Sequence, residues 1–78
     1  MHAADASRSE RLRRMLDDLR ALPGSTTFEI QNRTRSCAVH SDIAELRQNG
    51  YIIDRVCEGK RNGRQINRYF LRGRRYEP

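Results

Sequence analysis

Several residue types that build large cores are scarce or missing from this sequence of 78 residues. There is no tryptophan, aromatic residues make up 6% of the chain, and hydrophobic residues make up 36%. The mean hydropathy is -0.94. A chain of this length forms one domain and buries a limited core. The composition therefore leaves enough apolar side chains for one thin core, and too few for a core with a deep substrate pocket.

Cysteine and histidine are also scarce. The cysteines Cys37 and Cys57 and the histidines His2 and His40 do not have the spacing of a zinc site. No apolar run approaches the length of a transmembrane helix, and no signal peptide is visible. We therefore expect a protein without a metal, another cofactor or a membrane partner, in a reducing cytoplasm with both thiols free.

Catalytic patterns are missing as well. The sequence has no Ser/His/Asp arrangement in a suitable context, no glycine-rich phosphate loop before a helix, and no paired carboxylates for a pocket. Asp17 and Asp18 are neighbours on a predicted helix, where consecutive side chains do not face each other. The sequence thus predicts that the protein is not an enzyme.

Positive charge is what the sequence has in excess. Lysine and arginine number 16 against 10 acidic residues, which gives a net charge of +6 and a pI of about 10.3. All the basic residues except Lys60 are arginines, whose planar guanidinium suits bidentate contacts with phosphate or guanine, although a GC-rich genome gives the same bias. A small basic domain favours a polyanionic partner, because each cation that neutralises a phosphate releases counterions.

The first predicted element follows a polar N-terminus, residues 1–6, which we expect to be disordered. Ser7 and Glu10 match a capping box, in which each residue's side chain satisfies a free backbone N–H of the other. An amphipathic helix is predicted over residues 8–21, and the Pro-Gly pair at 23–24 ends it. Its apolar stripe consists of Leu12, Met15, Leu16, Leu19 and Leu22.

A second capping box predicts a short helix directly after this turn. Thr26 and Glu29 have the required spacing, and the helix is expected over residues 27–32. Phe28 and Ile30 are its expected apolar anchors. A short strand that starts at Phe28 is the alternative.

A third helix is predicted over residues 36–48, after a polar turn at 32–36. Val39, Ile43 and Leu46 form its apolar face at the spacing i, i+4, i+7. The Asn-Gly pair at 49–50 ends it, since glycine suits the left-handed position after a helix. The opposite face carries Cys37, Ser41, Ala44, Glu45 and Gln48.

The C-terminal third is typical of a β-hairpin. Segments 51–57 and 66–71 are rich in β-branched and aromatic residues, and the turn at 59–63 contains Asn-Gly, a strong hairpin signal. Residues 72–78 are expected to form a basic tail. The residues expected to face the core are Tyr51, Ile53, Tyr69 and Leu71. The sequence therefore predicts an α+β fold over residues 7–71, a winged helix-turn-helix with three helices followed by a two-stranded β-hairpin wing.

The segment from Thr26 to Leu71 resembles a group of small winged helix-turn-helix DNA-binding proteins of bacteriophages and prophages. The resemblance is carried by T-T-F-E-I at 26–30, A-V-H-S-D-I-A-E-L-R-Q-N-G-Y-I-I at 38–53 and R-Y-F-L at 68–71. It implies a protein that binds double-stranded DNA, located in the bacterial host cytoplasm if phage-encoded. The helix predicted over 36–48 would read the major groove, and the wing at 59–64 would contact the backbone or the minor groove.

The candidate DNA contacts fall into two groups. One surrounds the start of the third helix: Arg33, Thr34, Arg35, Ser36, Cys37, His40, Ser41 and Ala44. The other lies on the wing: Lys60, Arg61, Asn62, Arg64 and Arg68. Residues 59–76 contain seven basic residues and no acidic one, which is more charge than a solvated strand edge needs. Half of the acidic residues lie in the first thirty positions, so the first helix is expected to face away from the nucleic acid.

Three functions fit these features. The first is a transcriptional regulator that acts as a homodimer or by cooperative assembly on repeated sites, because one small module binds DNA weakly alone. The second is an excisionase-like architectural factor that bends DNA. The third is a protein-binding winged helix, for example a phage-encoded inhibitor of a host nucleic-acid enzyme, whose basic surface docks on a host protein. The sequence leaves these three open.

Overall fold

The computed structural model describes residues 9–75, which follow the predicted order of helices first and a β-hairpin last, with one additional strand. The α+β fold contains the helices α1 (Glu10–Ala21), α2 (Thr27–Thr34) and α3 (Val39–Gln48). Its antiparallel sheet contains β1 (Ser25–Thr26), β2 (Tyr51–Arg61) and β3 (Arg64–Arg74), in the order β1-β3-β2. Within residues 9–75, no helix is long and apolar enough to cross a membrane. The predicted disordered segment 1–6 lies outside the described residues.

The first helix begins two residues later than predicted. Ser9 is its N-cap, and the Ser9 Oγ accepts a hydrogen bond from the backbone N–H of Leu12 at 3.2 Å. The predicted cap, Ser7, lies outside the described residues. Leu22 comes after the end of the helix and is 47% exposed, so it is not part of the buried stripe. The other four residues of that stripe are buried as predicted: Leu12, Met15, Leu16 and Leu19.

The capping box of α2 is confirmed, and the helix is longer than predicted. The Thr26 Oγ1 accepts from the backbone N–H of Glu29 at 3.2 Å, and the Glu29 carboxylate accepts from the backbone N–H of Thr26 at 2.8 Å. The helix continues through Thr34 and ends where Arg35 adopts a left-handed conformation with φ of 60°. Three of the five residues of the predicted polar turn are therefore helical.

The buried face of α2 differs from the prediction at one position. Ile30 and Thr34 lie four residues apart, on the same face of the helix, and both are buried. Phe28, the other predicted anchor, is 70% exposed. This prediction was wrong because a helix that begins at Thr27 places Phe28 about 200° around the axis from Ile30.

The third helix begins at Val39, three residues later than predicted. Ser36 belongs to the preceding loop, where its Oγ accepts from the backbone N–H of Ala38 at 3.2 Å and donates to Asp42 at 2.6 Å. The predicted end of the helix is confirmed, since Gly50 follows the C-cap with φ of 94°.

The hairpin of β2 and β3 is longer than predicted. Its turn consists of Asn62 and Gly63, with φ of 53° and 78°, the conformation that favours an Asn-Gly pair. β3 continues through Arg74, so residues 72–74 of the predicted basic tail form strand. The last part of that tail, residues 76–78, lies outside the described residues.

The sheet has three strands where two were predicted. β1 pairs antiparallel with β3, with Ser25 opposite Tyr69 and Thr26 opposite Arg68. These two residues of β1 come directly before α2, and Thr26 is also its N-cap. A strand of two residues next to a strong helix cap leaves no alternating pattern in the sequence, so the prediction missed it.

A core of ten buried apolar side chains lies between the helices and one face of the sheet. Its members are Leu12, Met15, Leu16, Leu19, Ile30, Val39, Ile43, Leu46, Ile53 and Tyr69. Tyr51 and Leu71 pack against it and are partly buried, as the strand alternation predicts. Residues 54–65 of the hairpin are all exposed. The core therefore supports the first part of the hairpin, and the rest extends beyond it.

Replacement of Thr26 tests the cap of α2. Thr26→Ala is expected to lower the free energy of unfolding by about 1 kcal/mol, because the backbone N–H of Glu29 loses its acceptor. Thr27→Ala is the matched control, since the Thr27 hydroxyl is buried without a hydrogen-bond partner in the described part of the chain. Urea denaturation followed by circular dichroism measures both. Equal losses in the two variants would contradict the role of the cap.

Candidate nucleic-acid interface

Arg33, one of the predicted contact residues, is engaged within the fold. Its Nε donates to Asp18 Oδ1 at 2.7 Å, and its Nη2 donates to Asp18 Oδ2 at 3.0 Å and to Ser25 Oγ at 2.5 Å. The hydrogen bond to Asp18 raises the pKa of Arg33 above its usual value. Arg33 therefore ties α2 to α1 and β1, and its Nε and Nη2 donors are engaged within the fold.

Thr34 and Ser36 also make internal contacts. Thr34 is buried, and its Oγ1 donates to the carbonyl of Ile30 at 2.7 Å. The Ser36 hydroxyl donates to Asp42, a carboxylate that is 1% exposed. These two predicted contact residues hold the connection between α2 and α3 in place.

The remaining polar and small residues of this group reach the surface. Arg35 is exposed at the C-cap of α2 and forms no ion pair with any residue that the structure describes. Cys37 is exposed in the loop before α3. Ser41 and Ala44 are exposed and lie three residues apart on α3, so they share its outward face. Together these residues form one exposed surface at the loop and the helix.

His40 lies where α3 meets the sheet. Its Nδ1 is 2.9 Å from the hydroxyl oxygen of Tyr69, and the two rings meet edge to face with their centroids 6.2 Å apart. Tyr69 is 1% exposed, so His40 satisfies a hydroxyl group that the core would otherwise leave without a partner. This contact fixes the imidazole beside the exposed face of α3.

The hairpin tip, residues 59–64, holds three predicted cations on its surface. Lys60, Arg61 and Arg64 are exposed, as is Asn62, and among residues 9–75 none of the three cations has an ion-pair partner. Arg61 lies directly opposite Arg64 in the strand register. Like charges in this position destabilise a sheet, so the fold gains nothing from the pair.

Other basic residues of segment 59–76 have partners on the neighbouring strand. Arg68 forms an ion pair with Glu58, and the Arg72 Nε donates to Asp54 at 2.8 Å. Both acids lie on β2, at positions that precede the segment in the sequence. Segment 59–76 contains no acidic residue, but the pairing of β2 with β3 places Glu58 and Asp54 next to two of its arginines.

Arg68, another predicted contact, also has a role within the fold. Its hydrogen bond lowers the pKa of Glu58, and the charge of Arg61 lowers it further. The Arg68 Nη1 donates to the carbonyl of Gly24 at 2.8 Å. Arg68 thus ties the hairpin to the connection between α1 and β1.

Arg55 belongs to the candidate interface, although the sequence analysis missed it. It is exposed and lies opposite Tyr69, so its side chain is on the sheet face that Tyr69 and Ile53 turn toward the helices. No ion pair forms between Arg55 and any other residue in the range 9–75. The alternation that predicts Tyr51 and Ile53 on this face places Arg55 next in the same series.

The hairpin tip carries cations on both faces. Lys60 lies opposite Gln65, and Gln65 is four residues before Tyr69 on an uninterrupted part of β3. Lys60 therefore shares the face of Arg55, toward α3, whereas Arg61 and Arg64 are on the other face.

Comparison with known proteins gives no match: no protein-family model, curated protein or solved structure matches the chain. Within the described range 9–75, no three His, Cys, Asp or Glu side chains lie close enough together to hold a metal ion. The exposed cations and the outward face of α3 are therefore the features from which a function can be argued.

Arg33 and Arg35 should differ sharply when each is replaced by alanine. Arg33→Ala is expected to lower the free energy of unfolding by about 1–2 kcal/mol, because Asp18 and Ser25 lose a charged donor. Arg35→Ala should change it by less than about 0.5 kcal/mol, since the exposed side chain has no partner to lose. Urea denaturation compares the two. A similar loss in both variants would show that Arg35 has a structural role.

Proposed function

We propose that this chain is a winged helix-turn-helix protein that binds double-stranded DNA. In this arrangement α2 and α3 are the helix-turn-helix, α3 enters the major groove, and the β2–β3 hairpin is the wing. The order of the helices and the hairpin supports the proposal, as does the resemblance of residues 26–71 to phage and prophage proteins of this kind. The role we propose is a transcriptional regulator in the bacterial cytoplasm.

The observation that carries the proposal is the set of cations without ion-pair partners at the hairpin tip. Arg61 and Arg64 face each other across the strands, and Lys60 adds a third positive charge beside them. Their mutual repulsion costs the fold stability. Glu58 attracts Arg61 at longer range, but its ion pair is with Arg68, and no acidic residue in the described range forms an ion pair with Arg61 or Arg64. Phosphate groups would neutralise these charges, and the release of counterions from the DNA would favour the contact.

The outward face of α3 has the chemistry to lie close to base edges. Ala44 can contact a thymine methyl group, and the Ser41 hydroxyl can bond a base or a phosphate. Arg35 lies just before the helix and has a free guanidinium, which suits the O6 and N7 acceptors of guanine. This combination of small side chains and one long cation fits the N-terminal part of a reading helix.

The hairpin has the length to contact the duplex beyond the major groove. The exposed part of β2 after Ile53 reaches about 25 Å at a rise of about 3.3 Å per residue. The grooves of B-DNA are about 12 Å and 6 Å wide, so the tip can reach the backbone or minor groove beside α3. Cations on both faces of the tip would allow the hairpin to contact the two phosphate backbones that border a groove.

Removal of charge from the hairpin tip tests the proposal. The triple replacement of Lys60, Arg61 and Arg64 by alanine should reduce the slope of log K against log salt by about 2–3, at about 0.9 for each lost phosphate contact. Its free energy of unfolding should not fall, because the repulsion between Arg61 and Arg64 disappears. Fluorescence anisotropy with a labelled duplex of about 20 base pairs measures the slope. The salt concentration is varied over roughly 50–200 mM, the range in which phosphate contacts weaken strongly.

Arg20→Ala is the control, since Arg20 is exposed in the last turn of α1 and is not part of the hairpin. An unchanged slope in the triple variant would exclude the hairpin as a DNA contact. A wild-type protein that binds no duplex at the lowest salt would exclude DNA binding altogether and favour a protein partner.

A further inference from the structure

A cleft between α1 and the loop before α3 is lined by arginines from two distant parts of the chain. Arg11 and Arg14 reach it from α1, and Arg35 reaches it from the end of α2. Arg35 is more than twenty positions after Arg14 in the sequence, so only the fold brings it beside the arginines of α1. The rest of the lining consists of Thr34, Ser36, Cys37, Ala38 and Asp42.

The one carboxylate in the lining is already neutralised. Asp42 is 1% exposed, accepts a hydrogen bond from Ser36 at 2.6 Å and forms an ion pair with Arg11. Arg11 also donates to Glu45 at 3.1 Å, so it bridges α1 and α3. The Arg11 side chain remains 49% exposed. Asp42 therefore fixes Arg11 at the side of the cleft and does not repel an anion there.

The other two arginines are available to a ligand. Arg14 pairs with Glu10 at 3.1 Å, one turn earlier on the same helix, with both side chains more than half exposed. Such an exposed ion pair contributes little to stability, so Arg14 can exchange Glu10 for a phosphate at little cost. Arg35 has no ion-pair partner within the described residues. Neither Glu10 nor Glu45 lines the cleft, so the lining carries three guanidinium groups against one paired carboxylate.

This geometry revises the expectation that α1 faces away from the nucleic acid. At the N-terminal end of α1, Arg11 and Arg14 lie beside Cys37 and Arg35, at the loop that leads into α3. Toward the other end, Asp18 is paired with Arg33. The beginning of α1 is therefore next to the proposed DNA surface.

We propose that this arginine cleft binds a backbone phosphate of the duplex, next to the groove that α3 enters. The inference rests on the proposed function and adds α1 to its contact surface. A guanidinium can donate two parallel hydrogen bonds to phosphate oxygens. Arg14 donates to the phosphate from one side. Arg35 has five N–H donors, so two can bond guanine and the others can donate to the phosphate from the other side. Arg11, fixed by Asp42, completes the site. The ligand is thus a phosphodiester of the bound duplex, and free inorganic phosphate presents the same chemistry without the duplex.

Arg14→Ala and Arg20→Ala form a matched pair for the test. Both remove one exposed arginine from α1, and Arg20 lies about 180° around the helix axis from Arg11. Arg14→Ala should weaken duplex binding about three- to tenfold near physiological salt and lower the log–log salt slope by about 0.9, whereas Arg20→Ala should change affinity less than about twofold. If the two variants weakened duplex binding equally, only the net charge of the protein would matter, and the proposed phosphate site in the cleft would be wrong.

Cys37 supplies a readout that needs no DNA, because its exposed thiol lines the same cleft. In protein with Cys57→Ser, a dianionic aromatic disulfide should modify Cys37 at least about threefold faster than a neutral disulfide of equal intrinsic reactivity. Arg14→Ala should lower this ratio, inorganic phosphate should compete with the anionic reagent, and Arg20→Ala should leave the ratio unchanged.

The thiol experiment separates the two proposals. If the rate ratio is the same in the Cys57→Ser protein with and without Arg14→Ala, the anion site is overturned, whether or not the protein binds DNA. If the anionic disulfide reacts faster than the neutral one but the protein binds no duplex, the cleft binds an anion and the proposed function is wrong. The duplex is then not the source of the phosphate. Inorganic phosphate then remains as the ligand of the cleft.

Discussion

The rest of the structure depends on a core of ten apolar side chains that covers only the first part of the β2–β3 hairpin. Ile53 and Tyr69 are the buried residues of the sheet face, and residues 54–65 beyond them are exposed. A two-stranded ribbon without a core is marginally stable, so side chains there add little to folding. Cations at the tip therefore contribute little to the stability of the fold, which leaves them available for the contacts with DNA that we propose.

The arginines divide into two classes according to their partners, and net charge alone does not reveal this division. Arg33 and Arg68 are bound to acids and to other polar groups, and they tie helices and strands together. Arg35 and Arg55 have no ion-pair partner among residues 9–75. Six of the acidic residues that the structure describes form ion pairs with arginines. The hairpin tip keeps three cations outside these pairs, and the loop before α3 keeps Arg35.

The elements that the sequence predicts well are those whose signals are local. The capping box of Thr26 and Glu29 lies within four residues, and the Asn62-Gly63 turn needs only two. The apolar spacing in α1 and α3 and the alternation in β2 are equally short in range. These patterns predict the order of the three helices and the hairpin and most of the buried residues of α1 and α3, but they miss β1 and the exposure of Phe28.

The parts that the sequence does not predict depend on contacts between distant residues. Arg33 and Arg35 are alike in the sequence, but α2 continues between them and places only Arg33 beside Asp18. Asp42 lies on the buried face of α3, three residues after Val39, and the arginine that compensates its charge, Arg11, comes from another helix. Periodicity within one segment carries no information about either pairing, so which candidate residues are free for a ligand emerges only from the fold.

The proposed function requires that α3 contacts the bases and the hairpin contacts the phosphates of one DNA duplex. Selection of binding sites from random-sequence duplexes at two salt concentrations measures both requirements. We expect the wild-type protein to retain duplexes at both concentrations and to enrich a shared sequence. Arg35→Ala should still retain duplexes but lose the preference at one position of that sequence. A wild-type protein that retained no duplex at the lower salt concentration would not be the DNA-binding protein that we propose.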